Sequence, residues 1–252
     1  MQLSHQEAFS IELHFSGDLR FFLRRRSEDS TLIRILREKT SAKDAIEACG
    51  VPHPEIDLIR CNGVIVSLEH QLKEKAILQV YGVTDSHADV ESALQKRGLT
   101  RFIADGHLGK LARNLRFLGF DVLYSPTAED AELVALSKAQ NRALLTRDRR
   151  LLMHRVVQHG YCPRSHDPDK QIIETVRRFE LNELITPFTR CIHCNGILVK
   201  VDKQEVFDEL EPLTRIYYRD FRRCLSCRRI YWAGSHFEKL QARLASIRDR
   251  LR

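Results

Sequence analysis

Four cysteines and three aspartates are the side chains whose types and spacing could do chemistry in this chain. Cys191-x-x-Cys194 and Cys224-x-x-Cys227 form two tight pairs with 29 residues between them. A Cys-x-x-Cys knuckle turns both sulfurs to one side. Two knuckles supply four thiolates to a tetrahedral ion such as Zn2+, at Zn–S about 2.3 Å. With every position filled by protein, that ion is structural, because none is open to water. His193 and His236 could replace a cysteine, but nothing requires it. Cys49, Cys61 and Cys162 read as small buried residues or free thiols.

The aspartates are Asp105, Asp130 and Asp148. Asp105 follows the apolar run Arg101-Phe102-Ile103-Ala104, and Asp148 follows Ala143-Leu144-Leu145 with Thr146-Arg147 between. Asp130 opens an apolar-periodic stretch after Phe120–Tyr124. Open parallel sheets place ligands outside the carboxyl ends of their strands, so the three carboxylates are expected on one rim. One aspartate there is ordinary, as a turn residue or an N-cap. Three from distant positions repel one another unless a cation neutralises them. Mg2+ and Mn2+ prefer such oxygen ligands. One ion, or two about 3.5–4 Å apart, can polarise a phosphate and activate water for in-line hydrolysis. Asp121 and Glu129 are secondary candidates, the first better read as a strand start and the second as a first-turn helix charge. His107 reads as a polar residue entering a helix.

These residues need elements to hold them. Leu108, Leu111, Leu115 and Leu118 recur every three or four positions, so His107–Leu118 is an amphipathic helix with Lys110, Arg113, Asn114 and Arg116 on the remaining arc. Gly119 stops it. A strand at Phe120–Tyr124, a helix at Asp130–Gln140 and a strand at Ala143–Leu145 follow. Strand–helix–strand–helix–strand predicts a parallel α/β sheet with right-handed crossovers.

Upstream, Ile11, Leu13 and Phe15 alternate with polar residues as in a half-buried strand. Gly17-Asp18 turns the chain, and Leu19–Arg25 reads as the returning strand, with Arg24, Arg25 and Arg26 meeting solvent. A capped helix begins at Thr40-Ser41 and ends at Gly50. Strands Ile56–Cys61, Val64–Val66 and Ala76–Tyr81 complete an α+β roll. Residues 83–99 carry no strong apolar period and read as a linker. Between the two knuckles lies a hairpin-like stretch, which suits a zinc ribbon, and a basic helix, Phe237–Arg252, closes the chain.

Composition limits the options. The chain has 252 residues, 43% hydrophobic and 30% charged, which fits folded domains and excludes a largely disordered chain. No run of about 18 apolar residues predicts a membrane span, and no secretory leader is visible. An odd cysteine count with no export signal points to a reducing, cytoplasmic setting. Net charge is +7. Residues 1–90 hold 11 basic and 14 acidic side chains, whereas residues 215–252 hold 11 and 3. That asymmetry suggests a polyanion bound by the back half. Tyr217, Tyr218, Phe221, Tyr231 and Trp232 interleave with Arg215, Arg219, Arg222, Arg223, Arg228 and Arg229. Arginines contact phosphates and exposed rings stack on unpaired bases. Arg113, Arg116, Arg147 and Arg149 are further candidates for holding a phosphodiester backbone.

The segments GVPHPEIDLIRCNG and ILQVYGV resemble the ubiquitin-like β-grasp domains related to small sulfur carriers. Carriers end in a free Gly-Gly, whereas Gly82 is followed by Val83, so this part reads as a docking or structural module with a possible protein partner. FIADGHLGKLARNLRFLGFDVLY, the acidic helix start and ALLTRDRRLL resemble the Mut-seven carboxy-terminal RNase family, a branch of the PIN-like nucleases. The resemblance implies a PIN-like α/β core and metal-dependent RNA cleavage, with Asp105, Asp130 and Asp148 as Mg2+ or Mn2+ ligands. It also implies Thr146 as the small hydroxyl residue at the same strand end and the four cysteines as zinc ligands. The expected organisation is multidomain, α/β with α+β: a β-grasp domain at 1–84, a linker at 85–99, a PIN-like core at 100–190, and a zinc ribbon with a basic C-terminal helix at 191–252. The expected activity is hydrolysis of single-stranded or structured RNA. One departure stands out: Arg149 and Arg150 occupy the place where PIN-like enzymes often carry another acid, and Asp167 and Asp169 come only later. A non-catalytic RNA- or ribosome-binding protein with a degenerate nuclease core is therefore the alternative, and an adaptor working through its front domain is a second.

Overall fold

The computed structural model describes residues 8–23, 31–83, 93–234 and 237–251, without the side chains of 237–239. Arg24, Arg25, Arg26, His236 and most of the expected linker lie outside the described residues. In chain order the elements are β1 (Phe9–Phe15), β2 (Thr31–Leu36), β3 (Thr40–Ser41), α1 (Ala42–Glu47), β4 (Ile56–Cys61), β5 (Val64–Ile65), β6 (Gln71–Leu72) and β7 (Ala76–Gly82). Then come β8 (Arg101–Ala104), α2 (Gly109–Phe117), β9 (Asp121–Tyr124), α3 (Asp130–Ala139), β10 (Ala143–Leu145), α4 (Arg149–Leu152), β11 (Gly160–Tyr161) and α5 (Pro168–Arg178). The last are β12 (Leu198–Val201), α6 (Lys203–Val206), α7 (Pro212–Tyr217), β13 (Phe221–Cys224), β14 (Ile230–Trp232) and α8 (Phe237–Leu251). The chain forms two compact units, residues 1–97 with 130–164, and residues 98–129 with 165–252.

In the first unit, β1 pairs antiparallel with β2 and parallel with β7, and the sheet runs β2-β1-β7-β4-β5. Ile11, Leu13 and Phe15 turn inward, as their alternation requires. The Ser41 hydroxyl caps α1 by accepting the Asp44 N–H at 3.0 Å. The returning strand is displaced from its expected position. Gly17–Phe22 is a 3-10 helix, and the strand comes later, as β2. A strand through these residues would put Leu19 and Phe22 on opposite faces; a period of three buries both completely. Gly82 has a packing reason of its own: a Cβ there would stand 2.9 Å from Asp18 Oδ1, against that 3-10 turn.

The second stretch of this unit supplies α3, β10, α4 and β11, with β10 and β11 parallel. It is fastened to the front sheet by polar contacts. His53 bridges Glu47 and the Val157 carbonyl, each at 2.6 Å, and Glu55 Oε1 accepts the Cys162 N–H at 2.7 Å. The end of the expected linker is bound too. Buried Asp57 takes the Gln95 N–H and both Nη atoms of Arg97.

In the second unit β8 and β9 pair in parallel across α2, as the α/β rhythm predicts. Gly119, at φ +100°, ends α2 so close to Thr186 that a Cβ would stand 2.2 Å from its carbonyl oxygen. Asp167 caps α5 and Asp169 pairs with Arg243, so neither is a spare acid. β12, β13 and β14 form an antiparallel sheet. The stretch between the knuckles is more than a hairpin, since α6 and α7 interrupt it. Val206 and Leu210 from this insertion bury against Phe221. Among the described residues no helix is long and apolar enough to cross a membrane.

Candidate functional site

The four cysteines meet. Their sulfurs lie within 4.8 Å of one another, and among the described residues they are the one set of three or more His, Cys, Asp or Glu side chains placed to share an ion. Each knuckle folds the same way. The Cys194 N–H points at Cys191 Sγ and the Cys227 N–H at Cys224 Sγ, both at 3.5 Å. The residue after each knuckle, Asn195 or Arg228, has a positive φ, 70° and 62°. Asn adopts that region more readily than most residues. The Tyr231 hydroxyl sits 3.0 Å from Cys191 Sγ. Burial pushes the Cys191 thiol up, but this hydroxyl and the Cys194 and His193 N–H groups outweigh it and bring the pKa down to about 6. Burial pushes the Cys194 and Cys227 thiols up instead, and four converging sulfurs, two of them facing backbone N–H groups, form a ligand set that fits Zn2+.

The first knuckle is anchored by two residues of interest. Asn195 accepts the Val122 N–H at 3.0 Å and donates to Asp121 Oδ1 at 2.7 Å. Asp121 also faces Arg190 and Arg101 and is therefore a structural acid at the start of β9. Buried Arg116 donates to the carbonyls of Val122 and His193 at 2.8 Å. This corrects the helix-face reading: Arg116 and Asn114 lie on the buried side of α2, and only Arg113 of the two arginines is exposed. A cation there would also balance the negative charge that four metal-bound thiolates carry.

The aspartates sit at the element ends expected of them. Asp105 follows β8 directly and accepts the His107 N–H at 3.2 Å. Asp130 is the exposed first residue of α3. Asp148 is exposed and caps α4, its Oδ1 accepting the Arg150 and Leu151 N–H groups at 2.7 and 3.3 Å. Among the described residues Oδ2 of Asp148 accepts nothing. Buried Thr146 receives the Asp148 N–H on its hydroxyl at 3.0 Å, which fixes the turn. Asp130 and Asp148 belong to the first unit and Asp105 to the second, so neither unit by itself gathers all three.

The arginines expected on RNA divide by environment. Arg113, Arg228 and Arg229 are exposed, and Arg147 and Arg222 half-buried. Arg223 is buried and bonds Glu205 and Glu209. Arg149 donates to the Phe22 and Phe21 carbonyls at 2.7 and 3.2 Å and lies over both rings. It is therefore part of the seam inside the first unit. Sequence reasoning missed Arg164, whose guanidinium bonds Glu55 and Asp18 at 2.9 Å. It missed Asn195 as well, although Asn directly after a knuckle was a usable signal for a left-handed turn.

A five-stranded sheet with a parallel central pair, parallel α/β elements and a four-cysteine cluster that could bind zinc together define a mixed α/β protein. The Mut7-C ubiquitin family matches residues 8–88, and the Mut7-C RNAse domain family matches residues 100–244. The chain belongs to the Mut7-C RNAse domain family, preceded by the ubiquitin-like domain. No curated protein matches it.

Proposed function

We propose that this chain is a divalent-metal-dependent ribonuclease with a PIN-like core. The match to an RNase domain over residues 100–244 carries the reading. The exposed Asp148, whose backbone N–H is fixed on the Thr146 hydroxyl and whose Oδ1 is taken by the α4 cap, keeps Oδ2 for an ion and supports it. Asp105, Asp130 and Asp148 would hold Mg2+ or Mn2+. When bound, such an ion polarises a phosphodiester and lowers the pKa of water. Thr146 orients Asp148 through its amide. Exposed Arg113, Arg228 and Arg229, with half-buried Arg147, would hold the RNA backbone. The cysteine cluster would carry structural Zn2+. The edge strand β2 leaves Ile33 and Ile35 exposed, at 73% and 74%, which favours protein over RNA as the partner of the ubiquitin-like domain.

Asp148→Asn tests this reading cleanly. Asn keeps the Oδ1 that caps α4, so stability should change by less than about 1 kcal/mol. Cleavage of a labelled single strand in Mn2+ should fall about 100-fold or more. Equal cleavage by the variant would remove Asp148 from the chemistry. A wild-type protein that binds RNA and never cuts it would establish the second reading, a degenerate nuclease core that binds RNA. Commitment of Arg149 to the Phe21 and Phe22 carbonyls, at the place where PIN-like enzymes often carry another acid, favours that alternative.

A further inference from the structure

Beside Asp148 lies a cavity of about 510 Å3, built within the first unit from two distant stretches of chain. Glu47 and Ala48, at the end of α1, line one side, and Asp148, Arg149, Arg150 and Met153 line the other. Both sides are fixed. Arg34 Nη1 donates to the Ala48 carbonyl at 3.0 Å, and the Gly50 N–H closes the last turn of α1 on the Glu47 carbonyl at 2.8 Å. On the other side Asp148 caps α4 through the Arg150 N–H at 2.7 Å. The volume lies within the range of about 300–1,000 Å3 typical of small-ligand sites.

The lining divides into spent and unspent groups. Arg149 has both Nη atoms on the Phe22 and Phe21 carbonyls and both rings against its guanidinium. Glu47 Oε1 faces His53 Nδ1 at 2.6 Å. Arg150, in contrast, is exposed, and its guanidinium meets no partner among the described residues. Ala48 is exposed and Met153 half-buried, and they give the cavity an apolar side. Two carboxylates and two guanidinium groups leave the lining without net charge, so a bare anion gains little here. A phosphodiester bridged to a divalent ion on Asp148 gains from both signs. The ion offsets the carboxylates, and Arg150 meets a phosphate oxygen with charge-assisted hydrogen bonds.

We infer that a single RNA strand passes between the end of α1 and α4, with one phosphate on Arg150 and the adjoining sugar against Ala48 and Met153. The ubiquitin-like domain thereby forms one wall of the cleavage site. Arg150, at the place where PIN-like enzymes often carry an acid, is then a cation for the substrate and not a lost ligand. A space of this size admits about one nucleotide, and nucleotides are free to enter singly only in unpaired RNA. The inference rests on the nuclease reading above and adds to it the group that holds the phosphate and the domain that sets the width of the cleft.

Full-length protein is compared with Arg150→Ala, Arg150→Lys and Ala48→Trp. Polarisation of a labelled phosphorothioate oligoribonucleotide, which resists cleavage, gives the affinity with and without Mn2+ and over a range of salt. Calorimetry without RNA gives the affinity for Mn2+, and the Tm of each variant shows that it is folded. Mn2+ should tighten the strand on the wild type. Arg150→Ala should weaken it about tenfold and make the slope of log K against log salt shallower by about 0.7, the value for one phosphate contact on a single strand. Arg150→Lys should keep that slope. Ala48→Trp should raise KM for cleavage about tenfold while binding Mn2+ as the wild type does. Strand affinity within twofold of wild type in both Arg150→Ala and Ala48→Trp, with Mn2+-dependent cleavage intact, overturns the cleft and leaves the nuclease reading in place. A duplex that competes as well as the single strand overturns the confinement to unpaired RNA. Arg150-dependent binding of the strand by a protein that neither binds Mn2+ nor cuts keeps the cleft and overturns the nuclease reading. No strand binding by the wild type overturns both.

Discussion

Stripping the zinc proposed for the four-cysteine cluster, by a strong chelator or by Cys224→Ala, is expected to unfold the ribbon. Among the described residues the two apolar clusters of the ribbon are small. One consists of Cys191, Leu198 and Cys224, and the other of Val206, Leu210 and Phe221. Modules with so little buried surface need a cross-link to fold. Zinc supplies about 10–16 kcal/mol to comparable four-ligand sites. Protein as purified should hold about one zinc per chain. After stripping, the emission of Trp232 in β14 should shift to the red and proteases should cut between residues 195 and 234. Readdition of Zn2+ should reverse both. Unchanged emission and unchanged protease resistance in metal-free protein would mean that the thiols are bystanders.

The second large effect concerns a cation that binds nothing outside the protein. Arg164 lies between Glu55 and Asp18, with Nη1 on Glu55 Oε1 at 3.0 Å and Nη2 on Glu55 Oε2 and Asp18 Oδ2 at 2.9 Å. The rings of Phe22, Tyr161 and Phe21 surround it at 4.5–5.3 Å. Burial by itself would make the guanidinium easier to deprotonate. Glu55, then Tyr161 and Asp18, reverse that and hold the charge. Burial and the Glu55 charge push the neighbouring Cys162 thiol up to about 11, so it stays a neutral thiol. Arg164→Met would leave the Glu55 carboxylate, 2% exposed, without its counter-charge. A loss of about 3–5 kcal/mol is expected, or a fall in Tm on the order of 10 °C. Combining it with Glu55→Gln should recover part of the loss, because removing both charges is less costly than stranding one. Urea unfolding of the two variants makes the comparison. A single variant within about 1 kcal/mol of wild type would show that the pair contributes little.

This arrangement also changes what the ubiquitin-like domain is for. Glu55 and Asp18 come from the front of the chain and Arg164 from its middle, and His53, Phe21 and Phe22 reach the same middle stretch. Residues 130–164, which carry Asp130, Thr146 and Asp148, share a compact unit with the front sheet. The ubiquitin-like domain is therefore part of what holds two of the three candidate aspartates, and a truncation made at the composition boundary near residue 90 would expose the buried sides of Glu55 and Arg164.

Local pattern revealed a good deal. Two cysteines three apart, twice, define a ligand set whatever the rest of the chain does, because a knuckle is a turn made by its own backbone. Leucines at 108, 111, 115 and 118 define a buried helix stripe in the same local way, and the strands at 56–61 and 143–145 fall where period and breakers put them. The fate of the arginines was not legible. Arg113 and Arg116 look alike in sequence, three apart on one helix, yet one meets solvent and the other the carbonyls of Val122 and His193. Arg149 and Arg164 find their partners more than a hundred residues away. A guanidinium is long, carries five donors and takes whatever acceptors folding brings near. Its role is therefore decided by tertiary approach, whereas a metal knuckle or a helix stripe is decided by spacing along the chain.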